Sequence, residues 1–259
     1  MVSLDYLRKK HQELRGDAPA NTDFLEKYLQ LSVGPNDIRI LPGADEQERF
    51  FAETKIHRIP QGNSVRNVHC LKTHNKPCPL CDAYFAIWKM HNSLNLAKGQ
   101  RSKFSEMAMK IKPQPRFYMN ALSRKTDEIK ILSVGKKLMD KIIADLLELD
   151  ESGVFMLDPQ DGHDFKIEKT MNGDYPDYSK SSVKLKGSPL GSAKRIASFR
   201  SELHDIQGLV KDEDLSEVKA LADEYMAIVT GASVRVESHE EEEDNPYLKS
   251  LNSGEDDWW

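Results

Sequence analysis

The sequence predicts an α+β protein: a β-barrel-like core carrying a metal-binding insertion, with helices appended towards its end. Three observations carry that reading. Short runs rich in apolar and β-branched residues alternate with Gly, Pro, Asn and Asp turns between about residues 28 and 172. Helical periodicity occupies 136–149 and returns from about 194 to 230. All three cysteines fall within one short stretch, HRIPQGNSVRNVHCLKTHNKPCPLCDAYF, residues 57–85.

In chain order, residues 3–15 read as a basic amphipathic helix, with Leu4, Leu7 and Leu14 on one side and Arg8, Lys9, Lys10 and Arg15 around it. GDAPANTD breaks it. KYLQLSVGPNDIRILPG predicts two strands joined by a Gly-Pro-Asn-Asp turn, and FFAETKIHRI, PRFYMNALS, DEIKILSVG and HDFKIEKTMNG add further short strands. DAYFAIWKMHN, after Cys81, has the apolar spacing of a helix.

At 259 residues the chain suffices for one large domain or two small ones without covalent staples. The opening MVSLDYLRKKHQELRGD lacks the apolar segment of a signal peptide, and no run is long enough to cross a bilayer. The expectation is a soluble, intracellular protein with reduced thiols and no membrane partner. The net charge of −5 conceals an asymmetry. Residues 237–259 hold nine acids against Lys249 alone, a charge of −8, so removing them leaves +3 on residues 1–236. Such an acidic block predicts a solvated, disordered tail. It ends GEDDWW, where Trp258 and Trp259 are candidate partner-binding anchors.

Three is an odd number for a disulfide framework, and one metal site would use all three thiols. Cys78-Pro-Leu-Cys81 is a C-x-x-C knuckle stiffened by Pro77 and Pro79, and the spacing suits two thiolates on one tetrahedral zinc. Cys70 supplies a third ligand, and the fourth is His57, His69 or His74. His69 is poorly placed, because adjacent side chains on a strand point to opposite faces. His74 would close a very tight loop, whereas His57 comes from a separate strand and is preferred. A redox C-x-x-C would use neither Cys70 nor a histidine. Four protein ligands leave no open position for water, so the zinc is expected to be structural, and nothing else in the chain suggests an enzyme.

His57, Cys70, Cys78 and Cys81 form H-x12-C-x7-C-x2-C, which resembles the zinc site of the T-even-type bacteriophage single-stranded DNA-binding proteins, the helix-destabilising proteins of the replisome. IRILPGADEQERFFAE resembles that family's Ile-Arg-aromatic-Leu-Pro strand and following acidic segment. VGKKLMDKI resembles its Gly-Lys-Lys helix start, and DFKIEKTMNGDYPDYSKS its strand, glycine turn and spaced aromatics. The similarity spans about residues 30–230. It implies an OB-type barrel with an inserted zinc subdomain (57–91) inside a DNA-binding core (21–236), a basic arm (1–20) and an acidic partner-binding tail (237–259). It further implies self-association through Arg8, Lys9 and Lys10, recruitment of replication and recombination proteins by the tail, one Zn2+, and a place in the cytoplasm of an infected bacterial host.

Single-strand binding needs flat aromatics for bases and cations along the phosphates. KIKPQPRFYMN supplies Lys110, Lys112, Arg116, Phe117 and Tyr118 on an expected strand and its approach. Phe117 and Tyr118 alternate faces, so one or the other is expected to stack, and core packing suits Phe117 better than the loop tyrosines Tyr175 and Tyr178. DYPDYSKS supplies Tyr175, Tyr178 and Lys180, and Lys136 and Lys137 open a helix. The rival from another class is a zinc-ribbon accessory factor of replication or transcription that binds protein and no nucleic acid.

Overall fold

In the computed structural model, residues 26–44, 49–62, 64–96, 99–152, 155–173 and 175–231 are described. The arm residues Arg8, Lys9 and Lys10 and the tail residues Trp258 and Trp259 lie outside them. The chain divides into two compact units: Met1–Ala52 with Phe117–Leu209, and Glu53–Arg116 with Val210–Trp259.

The first unit is built on an antiparallel sheet that curls into a half-barrel. β1 (Gly34–Ile40) lies between β4 (Gln114–Ser123) and β6 (His163–Asn172), with Ile38 opposite both Ser123 and Phe165. β5 (Ile129–Gly135) pairs with β4. The far edge of β6 carries β8 (Ser182–Gly187) along its first half and β7 (Tyr175–Asp177) at its end. Asn172 faces Tyr175 across a two-residue turn, which Gly173 permits by taking φ +58. Period-two alternation sends Ile38 and Ile40 into a core with Met119, Leu132, Phe165 and Ile167. Helix α3 (Lys136–Glu151) covers that core with Leu138, Met139 and Ile142. Its buried Asp145 accepts from Val183 N at 3.0 Å, tying the helix to β8.

The opposite face of β1 holds Arg39, which is 1% exposed. It donates to Asp164 Oδ1 (3.0 Å), the Asp158 carbonyl (3.3 Å), and the Ser188 carbonyl and Oγ (2.7 and 2.9 Å). Arg124 grips the same Asp164 from the end of β4. Desolvation depresses the Arg39 pKa, and the Asp164 charge opposes that effect.

The second unit starts from the hairpin of β2 (Phe51–Gln61) and β3 (Ser64–His69), in which Ile56 faces His69. A 3-10 turn (Leu71–His74) leads to α1 (Pro79–Asn92), whose first position suits proline because the missing N–H would be unpaired there. Helix α2 (Lys103–Ile111) begins with a reciprocal Ser102–Ser105 cap. After the short α4 (Ala193–Ser198) of the first unit, α5 (Leu215–Thr230) returns to the second, capped by Asp214 on the Ser216 and Glu217 N–H groups. Leu80, Ile87, Met107, Ile111, Val218, Leu221 and Tyr225 form its core.

Three sequence expectations are corrected. Gly-Pro-Asn-Asp is no turn but the start of β1, because the Asn36 amide is held by Ser32 and the Gly34 carbonyl. The strand expected before it reduces to one bridge, Tyr28 with Ile131. The helix expected over 194–230 is broken between 199 and 214 into 3-10 turns and extended chain.

Candidate metal centre and nucleic-acid interface

The metal centre lies wholly within the second unit. β2 supplies His57, the end of β3 leads directly to Cys70, and Cys78 and Cys81 flank the first turn of α1. All four are buried, and their donor atoms lie within 4.8 Å of one another. Cys70 Sγ is 3.5 Å from Cys81 Sγ, and His57 Nε2 is 3.5 Å from Cys78 Sγ and 3.6 Å from Cys81 Sγ. A tetrahedral zinc with bonds of about 2.0–2.3 Å sets its ligands roughly 3.5–3.8 Å apart, so donor type, count and spacing all fit one zinc.

The imidazole is oriented from behind. His57 Nδ1 donates to the Ile111 carbonyl at 2.7 Å, which turns Nε2 towards the thiols as the nitrogen that would hold a metal. Burial lowers the His57 pKa, but hydrogen bonds with Cys70, Cys78 and Ile111 outweigh it and raise it to about 9. Bonds from Cys70 and Cys81 hold the Cys78 thiol far below its ordinary range, and the same crowding pushes Cys81 up. Three thiols this close oppose one another's ionisation, and a divalent cation among them removes the conflict. The rival histidines are engaged elsewhere: His69 Nδ1 meets Thr54 Oγ1 at 3.2 Å, and His74 Nε2 meets the Lys211 carbonyl at 3.1 Å.

Of the expected DNA contacts, Lys110, Lys112 and Arg116 belong to the second unit. Lys110 lies in the last turn of α2 and Lys112 caps it, so neither is on a strand. Burial lowers the Lys110 pKa, with Glu106 opposing. Arg116 is half-buried near the start of β4.

The remaining candidates belong to the first unit. Tyr118 is only 7% exposed and meets Tyr28 edge-on at 6.5 Å, so it is the core member of its pair. Phe117 is half-buried, packed against the first unit's core. Tyr175 is 41% exposed on β7, while Tyr178 is half-buried against the first unit's core. Between them, Asp177 is held below the usual carboxylate range, first by the Ser179 hydroxyl and also by the charge of Lys137. Lys136 and Lys180 are exposed, the former paired with Asp140 at 2.6 Å.

Sequence reasoning missed two aromatics. Phe50 meets Phe51 edge-on at 4.9 Å, and Phe51 meets Phe117 at 5.9 Å. Phe50 also lines a cleft of about 260 Å³ with Arg49, Arg200, His204 and Asp205. The available signal was Arg49 immediately before a Phe-Phe pair, which strand patterning absorbed.

A family model described as gp32 DNA binding protein like matches residues 33–229, more than half of the chain. No curated protein matches it.

Proposed function

The chain belongs to the gp32-like family of DNA-binding proteins, and we propose that it coats single-stranded DNA without sequence preference during phage replication, recombination and repair. The observation that carries this reading is the exposed ring of Tyr175 on β7, three residues before the half-buried Tyr178. Half-buried Phe51 and Phe117 border the same core as Tyr178. Flat rings offered to solvent suit bases of any identity, each stack contributing about 1–3 kcal/mol. Lys110, Lys112, Arg116, Lys136, Lys137 and Lys180 are the cations assigned to phosphates. Zinc holds the second unit together and, with four protein ligands, leaves no position for a reacting water.

Residues 1–20 are assigned to docking on a neighbouring protomer, and 237–259 to partner recruitment in the cytoplasm of an infected host. The test is a titration of single- and double-stranded DNA across salt. Tyr175→Ala should weaken single-strand binding with little change in salt slope. Lys180→Ala should flatten the slope by about 0.7 for each phosphate it no longer neutralises. Tyrosine variants that bind normally at every salt concentration would return these rings to loop packing, and equal affinity for duplex would refute the reading itself.

A further inference from the structure

Phe85 lies on α1 and is 59% exposed. Leu80 and Ile87 of that helix are fully buried, and Tyr84 and Trp88 pack against the same core. Phe85 alone among the large apolar side chains of α1 turns to solvent. Its surroundings are specific. Tyr84 meets it edge-on with ring centroids 5.1 Å apart, and Trp88 supports Tyr84 at 6.4 Å. Lys72 Nζ stands 5.4 Å from the Phe85 centroid. Lys89 follows four residues later on the same side of the helix, and Asp82, three residues earlier, is the acid there.

A flat ring, steadied by an aromatic neighbour, with one ammonium over it and a second lysine one turn along the helix, offers what a base with its phosphates requires. None of the contacts assigned above uses it. We propose that Phe85, with Lys72 and Lys89, is a second base-stacking contact for single-stranded DNA, carried by the zinc-holding unit. The proposal rests on the reading of the chain as a single-strand binder. Nucleic acid is favoured over a protein partner because one ammonium stands over this exposed ring and a second lysine is exposed one turn further along the helix, in a chain whose family binds DNA.

The test uses the full, zinc-loaded chain and an oligo(dT) carrying 5-iodouracil. Photo-crosslinking should place an adduct on Phe85. Phe85→Ala should lower affinity roughly 5- to 150-fold, as expected when one stack is removed. Phe85→Trp, which keeps a flat ring, should restore binding, and both variants should retain zinc and the wild-type melting temperature. Wild-type affinity in Phe85→Ala, alongside a defect in Tyr175→Ala, overturns this inference and leaves the single-strand reading standing. No binding by the wild-type chain overturns both. Zinc loss in Phe85→Ala without an adduct on α1 overturns it by giving Phe85 a structural role. Unchanged DNA binding with saturable binding of the peptide SGEDDWW would give the surface to a protein segment instead.

Discussion

Replacing His57 by Ala should cost the second unit its metal, and the size of the effect can be worked from the site. Three thiols remain, with Cys70 and Cys81 only 3.5 Å apart and no imidazole to complete the tetrahedron. The buried Ile111 carbonyl also loses its donor, which by itself costs about 1–3 kcal/mol. Zinc held at 1,000 times its dissociation constant stabilises a folded unit by about 4.1 kcal/mol. A small domain shifts by about 4–8 °C per kcal/mol, so metal loss alone should lower the melting temperature by roughly 16–32 °C. The assay is zinc per chain by elemental analysis, paired with thermal unfolding with and without chelator. Wild type should contain one zinc and melt lower in chelator, whereas His57→Ala should contain little and respond little. His74→Ala should keep its zinc, because that ring is turned to the Lys211 carbonyl and lies outside the four-residue cluster. A His57→Ala chain with one zinc and a wild-type chelator response would refute the assignment.

Asp164→Ala should destabilise the first unit by about 3–5 kcal/mol in urea unfolding, since it strands Arg39 as a buried charge. Arg39→Met should cost less, because it removes the charge along with its partner. Deleting residues 1–16 should lower cooperativity on long single strands while sparing affinity for a short oligonucleotide; equal loss on both would assign the segment to the core. Deleting 237–259 should raise DNA affinity at low salt, with the gain shrinking as salt screens the −8 charge. Trp258→Ala with Trp259→Ala should instead leave DNA affinity unchanged and abolish partner recruitment, and a double variant that binds DNA as tightly as the deletion would contradict that division.

The metal centre was legible because thiol chemistry leaves few options and strand alternation sorts the histidines. His69 and Cys70 are adjacent, and the structure turns His69 to Thr54 while Cys70 joins the other thiols. The strands with clean apolar runs were legible for the same reason, since burial on one face writes itself as period two. What escaped depended on distant partners. Arg39 reads as a surface cation, and partners more than a hundred residues away, Asp164, the Asp158 carbonyl and Ser188, make its burial tolerable. Gly-Pro-Asn-Asp carries turn residues, yet β6 takes Gly34 through Asp37 as a pairing edge. The 199–214 segment has apolar residues at helical spacing, but Phe199 is buried from a short 3-10 turn and Ile206 from the irregular chain before the next one. Lys110 reads as part of a strand and its approach because KFSEMAMKI, which forms α2, runs into the following strand with only Lys112 and Pro113 between them.

The same coupling decides which substitutions can report on DNA contact. Phe51, Phe117 and Tyr178 each present part of a ring to solvent and bury the rest against the first unit's core. Truncating one of them to Ala removes a stacking surface and also opens a cavity, for which large aromatic deletions cost about 3–5 kcal/mol when fully buried and proportionately less here. A weaker-binding Tyr178→Ala therefore has two explanations. Tyr175 sits on β7 outside that cluster, more open to solvent than its packed neighbour, and a change there should leave unfolding nearly untouched. The informative comparison is Tyr175→Ala against Tyr178→Phe, which keeps the ring and its packing and removes only the hydroxyl. If stacking carries the affinity, Tyr175→Ala weakens binding at constant stability and Tyr178→Phe does neither. If the hydroxyl of Tyr178 carries it through a polar contact, the order reverses, and the aromatic-platform account of this hairpin fails.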